Sequence, residues 1–500
     1  MKNNKAPVPD DIIIKYIKMG GPKLLGYLEK LFNDCLDKGE IPQAWKNADV
    51  IILHKKGDKE DIKNYRPISL LSHTYKLLTR IITNRVTRRL DEFQPVEQAG
   101  FRGGYNTIDH IHTLRQIIEK SLEYNQQVFL AFIDFEKAFD TIEKWAFLNA
   151  LKRSRIDSRY IQLINALYHD ATMTVRVFGG TDPINLRRGV RQGDTISPKI
   201  FTAALEDIFK TLEWEAKGVN INGEQLNNLR FADDIVLLAE SMDDLKTMLQ
   251  ELNSAAKNCG LQMNAAKTKI MSNCNDVTDV DLDNNSKIKV VNEYVYLGQR
   301  ISFDKNSQRA EISRRIQLGW TAFGKLSDVF NSKFPQYLKT QVFDQCVLPT
   351  LTYASETWSL NEGIMECLRI AQRKMERKML GIRLQDRKTN EWIRQKTKVI
   401  DIAERVARQK WKWAGHLMRV DDNRWTKKTT EWRPRTTKRN PGRPRTRWKD
   451  DIQKLAGTQW MSLTINWRSL CPKMDVVKLN VMMMKKKKYL ANILWIFHST

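Results

Sequence analysis

The spacing of apolar residues along the chain predicts a series of amphipathic helices. In residues 107–123, for example, Ile111, Leu114 and Ile118 fall on one helical face. From residue 309 to 381 the pattern is helical and strongly basic. Before that stretch, helices are predicted at 10–38 (interrupted at 20–22), 72–90, 107–123, 136–151, 197–212 and 243–258.

Short apolar runs of strand length alternate with these helices. One continuous run ends at Asp134, and two others flank the pair Asp233-Asp234, which predicts a β-hairpin with both acids in its turn. The strands are predicted, in order, at 48–53, 128–133, 172–178, 229–231, 235–238 and 290–297. This mixture of helices and strands predicts an α/β (α+β) fold.

Composition adds that the chain is long enough for several domains and is strongly basic. It has 500 residues, 41% of them hydrophobic, and a net charge of +26. The length suits about three domains, and the charge favours nucleic acid as a partner over a merely soluble basic protein. Residues 405–449 hold sixteen Lys and Arg, three Asp and Glu, and five of the 14 Trp. Because basic residues interleaved with aromatic ones suit phosphates and bases, this stretch is predicted to bind nucleic acid.

Several other classes of protein are disfavoured by the sequence. The six cysteines include no C-x-x-C pair and no cysteine–histidine cluster with zinc-finger spacing. No signal-peptide core follows the N-terminus, and the longest apolar run near the end, residues 489–497, is too short to span a bilayer. We therefore expect an intracellular protein without membrane association.

Three acidic residues are candidates for a metal centre. If the strands that they follow or separate are paired, Asp134, Asp233 and Asp234 lie at one rim of one sheet. Hard cations such as Mg²⁺ prefer carboxylate oxygens, and phosphoryl chemistry commonly uses two such ions about 4 Å apart. Each site alone also has a structural interpretation, because an Asp after a strand is often a helix N-cap and paired Asp residues are common in turns.

Five short segments, in this order along the chain, carry a family resemblance. They are residues 64–71 (NYRPISLL), 98–103 (QAGFRG), 131–140 (AFIDFEKAFD), 189–198 (GVRQGDTISP) and 231–234 (FADD). Together they resemble the core motifs of reverse transcriptases, and the first two resemble the form found in the non-LTR and group II intron branches. The resemblance implies a right-hand polymerase, with fingers, an antiparallel-sheet palm and a helical thumb, that copies RNA into DNA.

The resemblance also implies roles for the acids and their neighbours. Asp134 and Asp233 would be the main ligands of two Mg²⁺ (or Mn²⁺) ions. Asp234 would be the third acid, and the backbone carbonyl of Phe135 would complete one metal shell. Phe139 would be the steric gate that rejects a 2′-hydroxyl, whereas its structural interpretation is a core aromatic on an amphipathic helix.

Further residues are implied to position the nucleotide and the primer. By role, they are Lys55 and Arg66 for the triphosphate, Gln192 and Gly193 for the nucleotide-positioning loop, Lys267 for protonation of the leaving pyrophosphate, and Tyr296, Leu297 and Gly298 for the primer-gripping turn. Lys269 is close enough to Lys267 to be the alternative proton donor. Without the resemblance, Lys55 and Arg66 would be interpreted as solvated surface charges.

The region after residue 400 points to one branch of the family. Residues 405–452 resemble the C-terminal part of insect-type endonuclease–reverse transcriptase proteins of non-LTR (LINE-like) retrotransposons, which implies a nucleic-acid-binding function. The candidate binding residues are Arg405, Lys410, Lys412, Arg443, Arg445 and Arg447. The triplet at 442–444 resembles a minor-groove AT-hook, but a loop whose arginines bind any phosphate fits it equally well.

These assignments predict the organisation and the partners of the chain. The predicted regions are an N-terminal helical extension (1–45), fingers and palm (46–300), a helical thumb (301–400), a basic nucleic-acid-binding region (401–460) and a disordered low-complexity tail (461–500). The chain starts almost at the first polymerase motif, so we expect no N-terminal endonuclease domain. The expected partners are an RNA template, a DNA primer or target, and deoxynucleoside triphosphates. The expected location is nuclear, with a cytoplasmic phase.

Besides a basic RNA-binding module built on the C-terminal region, which leaves residues 46–300 unexplained, two other interpretations remain open from the sequence. One is a polymerase of a neighbouring branch, such as an intron-type enzyme or an RNA-copying RNA polymerase, although Phe139 argues against the use of ribonucleotides. The other is a catalytically inactive nucleic-acid-binding protein descended from a retroelement. The presence of Asp134, Asp233 and Asp234 disfavours that second interpretation.

Overall fold

The computed structural model describes residues 12–55, 57–176, 180–283, 286–420, 423–434, 437–442 and 444–465. Arg443 and most of the predicted tail, residues 466–500, lie outside these ranges, as do residues 1–11. No helix among the described residues is both long and apolar enough to cross a bilayer.

The described part of the chain begins with two helices, a β-hairpin and a long helix. These elements are α1 (Ile14–Met19), α2 (Gly21–Lys38), β1 (Asn47–His54), β2 (Tyr65–Leu70) and α3 (His73–Phe93). The two strands pair in antiparallel register, with Leu53 opposite Arg66. Ser72 caps α3, because its side chain accepts a hydrogen bond from the Tyr75 backbone N–H.

The middle of the chain forms a central sheet and the helices that cover it. Its elements are α4 (Thr107–Tyr124), β3 (Phe129–Ile133), α5 (Ala138–Thr141), α6 (Lys144–Arg153), α7 (Ser158–Tyr168), β4 (Thr172–Val175), β5 (Ile184–Asn185), α8 (Ser197–Phe209), β6 (Val219–Ile221), β7 (Glu224–Leu226), β8 (Asn228–Phe231), β9 (Asp234–Ala239), α9 (Met242–Asn258), β10 (Lys269–Ser272), β11 (Val280–Asp283) and β12 (Ser286–Val290). The central sheet has the order β11-β12-β10-β3-β9-β8, and a second sheet has the order β2-β1-β4-β5. The central sheet is antiparallel except where β10 pairs with β12.

Strand β3 is buried on both faces because its residues alternate between two cores. Phe129, Ala131 and Ile133 pack in the core that includes α8 and α9. Leu130 and Phe132 pack on the other face, in the core that includes α4. Since successive side chains of a strand point to opposite faces, a strand covered on both sides needs the continuous apolar run that the sequence shows.

The last part of the chain that the structure describes is a further β-hairpin followed by helices. Its elements are β13 (Tyr294–Tyr296), β14 (Gln299–Ile301), α10 (Ser307–Lys325), α11 (Ser327–Asn331), α12 (Gln336–Val342), α13 (Leu348–Leu351), α14 (Glu362–Met379), α15 (Asn390–Thr397), α16 (Ile402–Arg419), α17 (Trp425–Glu431), α18 (Asp450–Ala456) and α19 (Trp460–Ile465). Helices α10–α15, named the thumb region here after the sequence prediction, enclose a core around Phe323, Phe343 and Trp358.

Two predicted elements are divided in the structure. The helix predicted at 136–151 forms α5 and α6, because Glu136 and Glu143 donate their backbone N–H groups to the loop after α9 and Lys137 adopts a left-handed φ of 45°. The strand predicted at 290–297 is also interrupted. The chain leaves the central sheet after β12, and β13 belongs to a separate two-stranded sheet with β14. The spacing of apolar residues alone cannot predict either break, because each depends on a change of backbone hydrogen-bonding partner.

The tryptophans of the C-terminal region are core residues. All five of those in residues 405–449 are at least nine-tenths buried: Trp411, Trp413, Trp425, Trp432 and Trp448. Three of them join a cluster with α19, and two pack in the core between α4 and the central sheet. These rings therefore pack inside the protein, and the predicted binding of nucleic acid by residues 405–449 rests on the exposed cations of that stretch.

Candidate active site

The three candidate acids meet at one rim of the central sheet. β3 and β9 pair in antiparallel register up to Ile133 opposite Ile235. Asp134, one residue beyond β3, therefore lies beside Asp233 and Asp234 at the β8–β9 turn. Two motifs that are far apart in sequence are brought together by one pair of strands.

A buried glutamine supports the backbone of that turn. Gln98 is fully buried, and its Oε1 accepts hydrogen bonds from the backbone N–H of Ala232 at 3.0 Å and of Gly100 at 2.8 Å. The support matters because Ala232 adopts a left-handed φ of 58°, which is unfavourable for a residue with a Cβ. Sequence reasoning did not single out Gln98, although the segment QAGFRG was part of the resemblance.

The segment before the turn also holds the edge strand β8. Ala99 donates its N–H to the carbonyl of Arg230 at 2.9 Å, and Arg230 donates its N–H to the carbonyl of Glu97 at 2.8 Å. The Arg230 side chain is buried and lies 2.9 Å from the carboxylate of buried Glu206. Backbone bonds and a buried ion pair therefore fix the strand that leads into the acidic turn.

Partial burial and crowding of like charges raise the pKa of two of the acids. Burial is the largest cause of the raised pKa of Asp233, and the negative charge of Asp134 adds to it. The cations of Arg66 and Lys55 lower the pKa of the same carboxyl, so they lie within electrostatic reach of the rim. For Asp234, burial followed by the neighbouring carboxylates raises the pKa to about 6.

Lys267 places a positive charge directly beside Asp134. Its Nζ lies 3.2 Å from Asp134 Oδ2. The loop that carries it is tied to the strand end, because Asn264 donates its N–H to the Asp134 carbonyl at 2.8 Å. Lys269 lies in β10, and its Nζ donates to the carbonyl of Ala266. Of the two candidate proton donors, Lys267 is therefore the one with a direct contact to an acid.

The loop of Gln192 and Gly193 lies between α5 and β2. The Gln192 side-chain amide donates to Asp140 Oδ1 at 2.8 Å, and its backbone carbonyl accepts from the Ser69 N–H at 2.7 Å. Gly193 has a φ of +107°, and a Cβ there would lie 2.9 Å from the Ser69 carbonyl oxygen. Glycine is needed at this position because the backbone is left-handed and the neighbouring strand is close.

Phe139 lies next to this loop with its ring fixed by other aromatics. The ring stacks on buried Phe201, with centroids 4.3 Å apart, and meets the edge of Phe101 at 6.2 Å. Its carbonyl accepts a hydrogen bond from the Val190 N–H at 2.7 Å. The side chain is only partly buried, so one part of the ring packs in the core while another faces outward.

Two buried charged residues anchor the same loop, and sequence reasoning missed both. Arg191 is 4% exposed, donates to the carbonyl of Trp45 at 3.1 Å and lies over the ring of Tyr75. Asp194 is 4% exposed and accepts a hydrogen bond from the Tyr75 hydroxyl at 2.6 Å. Both fall inside the segment GVRQGDTISP, but their partners are distant in sequence.

Lys55 and Arg66 lie at the end of the β1–β2 hairpin where the connection between the two strands begins and ends. Lys55 follows β1 and donates its N–H to the Asn64 carbonyl at 2.8 Å. Arg66 is in β2, opposite Leu53. Both side chains are exposed, and both act on the pKa of Asp233. Two exposed cations thus face the anionic rim.

The hairpin turn of Leu297 and Gly298 joins the rim to the thumb region. The two residues have φ of 45° and 78°, as tight β-hairpins require. The hydroxyl of Tyr353 donates to the Leu297 carbonyl at 2.8 Å. Tyr296 is buried, and burial followed by the charge of Asp234 raises the pKa of its hydroxyl. The turn is therefore close to the acids on one side and held by the thumb region on the other.

Some of the predicted nucleic-acid-binding cations of the C-terminal region are used inside the protein. Lys410 is 2% exposed and its Nζ lies 2.6 Å from Asp451 Oδ1, so its ammonium stabilises the fold. Arg447 forms an ion pair with Glu123 at the end of α4. The buried ammonium of Lys410 is satisfied by Asp451 and has little left to offer a phosphate.

The other predicted cations of that region have different surroundings. Arg405 is partly buried and its Nε donates to Thr352 at 2.9 Å. Lys412 and Arg445 are exposed, and Arg443 lies outside the described residues. For Lys412 and Arg445 the assignment to nucleic-acid binding stays a prediction.

The chemistry of the rim fits divalent cations. Among the residues that the structure describes, no three acidic, histidine or cysteine side chains are grouped closely enough to form a complete cation site. The three acids nevertheless share one rim, and their mutual repulsion contributes to the raised pKa of Asp234. A bound cation would relieve that repulsion, and carboxylate oxygens suit Mg²⁺ and Mn²⁺ equally.

Comparison with known proteins gives the family. The profile of the family "Reverse transcriptase (RNA-dependent DNA polymerase)" matches residues 53–301. An uncharacterized transposon-derived protein of Caenorhabditis elegans is 38% identical over 249 residues, which are 48% of this chain and 89% of that protein. The chain therefore belongs to the reverse transcriptase family, whose members generally use divalent metal ions.

Further relatives are proteins of non-LTR retrotransposons. The RNA-directed DNA polymerase from mobile element jockey of Drosophila melanogaster is 26% identical over 402 residues, 75% of this chain and 42% of that protein. The Pol polyprotein from the type-1 retrotransposable element R2 of Popillia japonica is 32% identical over 238 residues, 47% of this chain and 33% of that protein. The chain thus spans less than half the length of these two relatives. A solved telomerase of Candida albicans, in complex with a telomeric RNA fragment, is 11% identical, with a TM-score of 0.42 over 73% of this chain and 68% of that chain.

The raised pKa of Asp234 predicts that divalent metal ions bind more weakly in mild acid. With a pKa of about 6, the carboxyl is protonated below that pH and ionised above it, and only the ionised form is a good ligand. We expect the Mg²⁺ affinity, followed by the thermal shift of the whole chain, to fall up to about tenfold per pH unit below pH 6. Asp234→Asn should reduce this dependence. Equal affinity at pH 5.5 and 7.5 would contradict the prediction.

Proposed function

We propose that the chain is the RNA-directed DNA polymerase of a non-LTR retrotransposon, which adds deoxynucleotides to a DNA primer on an RNA template. The observation that carries this proposal is the meeting of Asp134 with Asp233 and Asp234 at one sheet rim. Exposed cations of the β1–β2 hairpin lie on one side of this rim, and the β13–β14 turn lies near it as well. The cations suit the negative charge of a triphosphate, and the turn is placed to hold the end of a primer.

The residues around the acids have roles that follow from their charge and shape. Lys55 and Arg66 bind the oxygens of the triphosphate. Gly193 leaves room for the new base pair to approach the backbone of the loop. Lys267 gives a proton from Nζ to the leaving pyrophosphate, and the 3.2 Å contact with Asp134 holds its ammonium group at the rim.

Asp134, Asp233 and Asp234, together with the carbonyl of Phe135, would hold the divalent ions of the reaction. Bound there, such ions supply activation of the primer hydroxyl and neutralisation of the charge on the triphosphate. The chain itself supplies rigidity, because β3 and the β8–β9 turn are fixed by the central sheet and by Gln98.

Primer extension tests the proposal. The full chain is incubated with a DNA primer annealed to an RNA template, deoxynucleoside triphosphates and either Mg²⁺ or Mn²⁺. We expect synthesis that depends on the RNA sequence. Tight RNA binding without extension in either metal would instead support the alternative of a catalytically inactive retroelement-derived nucleic-acid-binding protein.

Phe139→Val is predicted to relax the choice of sugar. The fixed ring lies beside the nucleotide-positioning loop, so a smaller side chain leaves space for a 2′-hydroxyl. We expect the ratio of ribonucleotide to deoxynucleotide incorporation to rise about tenfold or more. The ratio is measured within one protein preparation, so a loss of stability cancels.

Phe334→Val is the matched control for this prediction, because Phe334 is 54% exposed and lies in the thumb region between α11 and α12. It should leave the ratio unchanged. An unchanged ratio for Phe139→Val as well would show that the ring is only a packing residue, which is the structural interpretation that the sequence left open.

A further inference from the structure

The positive charge of the chain is not confined to the C-terminal region. A second concentration lies in the thumb region, where residues 366–398 hold eleven Lys and Arg against four Asp and Glu, a net charge of +7. The segment includes most of α14, the loop that follows it and all of α15. Unlike Lys410, several of its cations are exposed to solvent, among them Lys374, Lys378 and Arg383.

These residues line a groove of about 1140 Å³. Every residue that lines it belongs to the stretch 366–404, so the groove is built by the thumb region and the start of α16 without any part of the acidic rim. Its surface includes large apolar side chains that solvent reaches. Ile370 is 46% exposed and Leu384 is 81% exposed.

Most of the acidic residues that line the groove are paired with arginines, which leaves a net positive charge from the exposed cations, among them Lys374, Lys378 and Arg383. Glu366 pairs with Arg369 at 3.1 Å. Asp401 pairs with Arg373 at 2.6 Å. Because paired charges cancel at short range, the electrostatic potential of the groove is set by the exposed cations that remain.

An aromatic ring on the same segment lies close to two ammonium groups. The Nζ atoms of Lys388 and Lys396 lie 5.4 Å and 5.7 Å from the ring centroid of Trp392. Trp392 is partly exposed. Cations next to open apolar and aromatic surface are the combination that binds a backbone of phosphates together with unpaired bases.

We propose that this groove is a binding site for a single strand of nucleic acid, separate from the polymerase site at the acidic rim. Lys374, Lys378 and Arg383 contact the phosphates, and the bases lie against Ile370 and Leu384. The bases of a duplex are paired and stacked inside it, so they cannot pack against the apolar surface of the groove. An acidic peptide would match the charge but would have to place acidic residues and large apolar residues in the same short segment.

Binding measurements with charge-neutralised variants test the proposal. The probes are labelled single strands of RNA and of DNA of about twenty nucleotides, with unlabelled primer–template present to occupy the polymerase site. For Lys374→Gln/Lys378→Gln/Arg383→Gln we expect about a tenfold loss of affinity at moderate salt. The slope of log affinity against log salt should fall by about 2, since each phosphate contact with a single strand contributes about 0.7.

The matched control is Lys15→Gln/Lys23→Gln/Lys30→Gln, which removes the same charge from exposed positions of the N-terminal helices. An equal loss of affinity in the two triple variants would overturn the proposal, because net charge alone would then explain it. Stronger binding of RNA than of DNA would identify the strand as template, and the reverse would identify it as a DNA strand. Binding of duplex as tightly as single strands would overturn the proposal.

Leu384→Ser distinguishes the contribution of the bases to binding from that of the phosphates. It should weaken the binding of the single strand several-fold but leave heparin, which is a polyanion without bases, bound as before. Equal binding of the single strand by this variant and by the unmodified chain would overturn the assigned role of the apolar surface. All of these measurements are of binding, so their outcome does not depend on whether the chain polymerises.

Discussion

Asp233→Asn is expected to abolish primer extension without unfolding the protein. The change removes one carboxylate from the rim and keeps the size of the side chain. Loss of a metal ligand removes several kcal/mol of charge stabilisation from the transition state, so we expect the rate to fall at least about a hundredfold. Stability should be unchanged or higher, because burial and the charge of Asp134 both disfavour the ionised form of Asp233. Extension is measured by incorporation into a labelled primer, and stability by urea unfolding.

The matched control for this change is Asp243→Asn. Asp243 is 96% exposed in its side chain, lies in the first turn of α9 and has its carboxylate 3.8 Å from the Lys246 ammonium group. It should keep the rate of extension and the RNA affinity of the unmodified chain. If Asp233→Asn extended primers at a normal rate, the rim would not be the polymerase site. If it lost RNA binding together with extension, the carboxylate would act on the fold and not on the chemistry.

The parts of the site that the sequence predicts are those set by local pattern. A continuous apolar run before Asp134 and two short runs around Asp233-Asp234 were enough to predict strands β3, β8 and β9 and their common rim, and the structure confirms these elements and their pairing. The long helices α3, α4, α8 and α9 are confirmed to within three residues at each end for the same reason. Apolar periodicity reports which face of an element is buried, and burial dominates the stability of these elements.

The parts that the sequence did not predict depend on partners far away in the chain. Gln98 supports a turn 134 residues later, and Arg191 donates to a carbonyl 146 residues earlier. In the C-terminal region the interleaving of Trp with Lys and Arg suggested a nucleic-acid surface. The structure instead uses the rings as a core against α4 and buries Lys410 with Asp451. A single sequence shows that a residue is polar or aromatic. It does not show whether a residue far away in the chain will bind or pack against that side chain in the fold.

Gly100→Ala is the second change with a large expected effect, and it tests how the acidic turn is supported. An added Cβ at this position would lie 2.2 Å from the backbone nitrogen of Ala232 and 2.9 Å from the carbonyl carbon of Phe231. Both neighbours are backbone atoms, so neither can rotate away. The turn must shift, and the hydrogen bonds that Gln98 makes to Gly100 and Ala232 must stretch with it.

For Gly100→Ala we expect a loss of stability of about 1–3 kcal/mol, as for overpacking in a rigid core, and a fall in extension rate of at least about tenfold, because a shift of about 1 Å is enough to misplace a reacting group. The control is Gly103→Ala, three residues further on, where an added Cβ meets nothing within 4 Å and the stability should change by less than about 0.5 kcal/mol. Extension and urea unfolding are measured for both variants. A Gly100→Ala protein that matched the control in both measurements would show that the turn adjusts without cost, and that Gln98 does not set the position of Asp233.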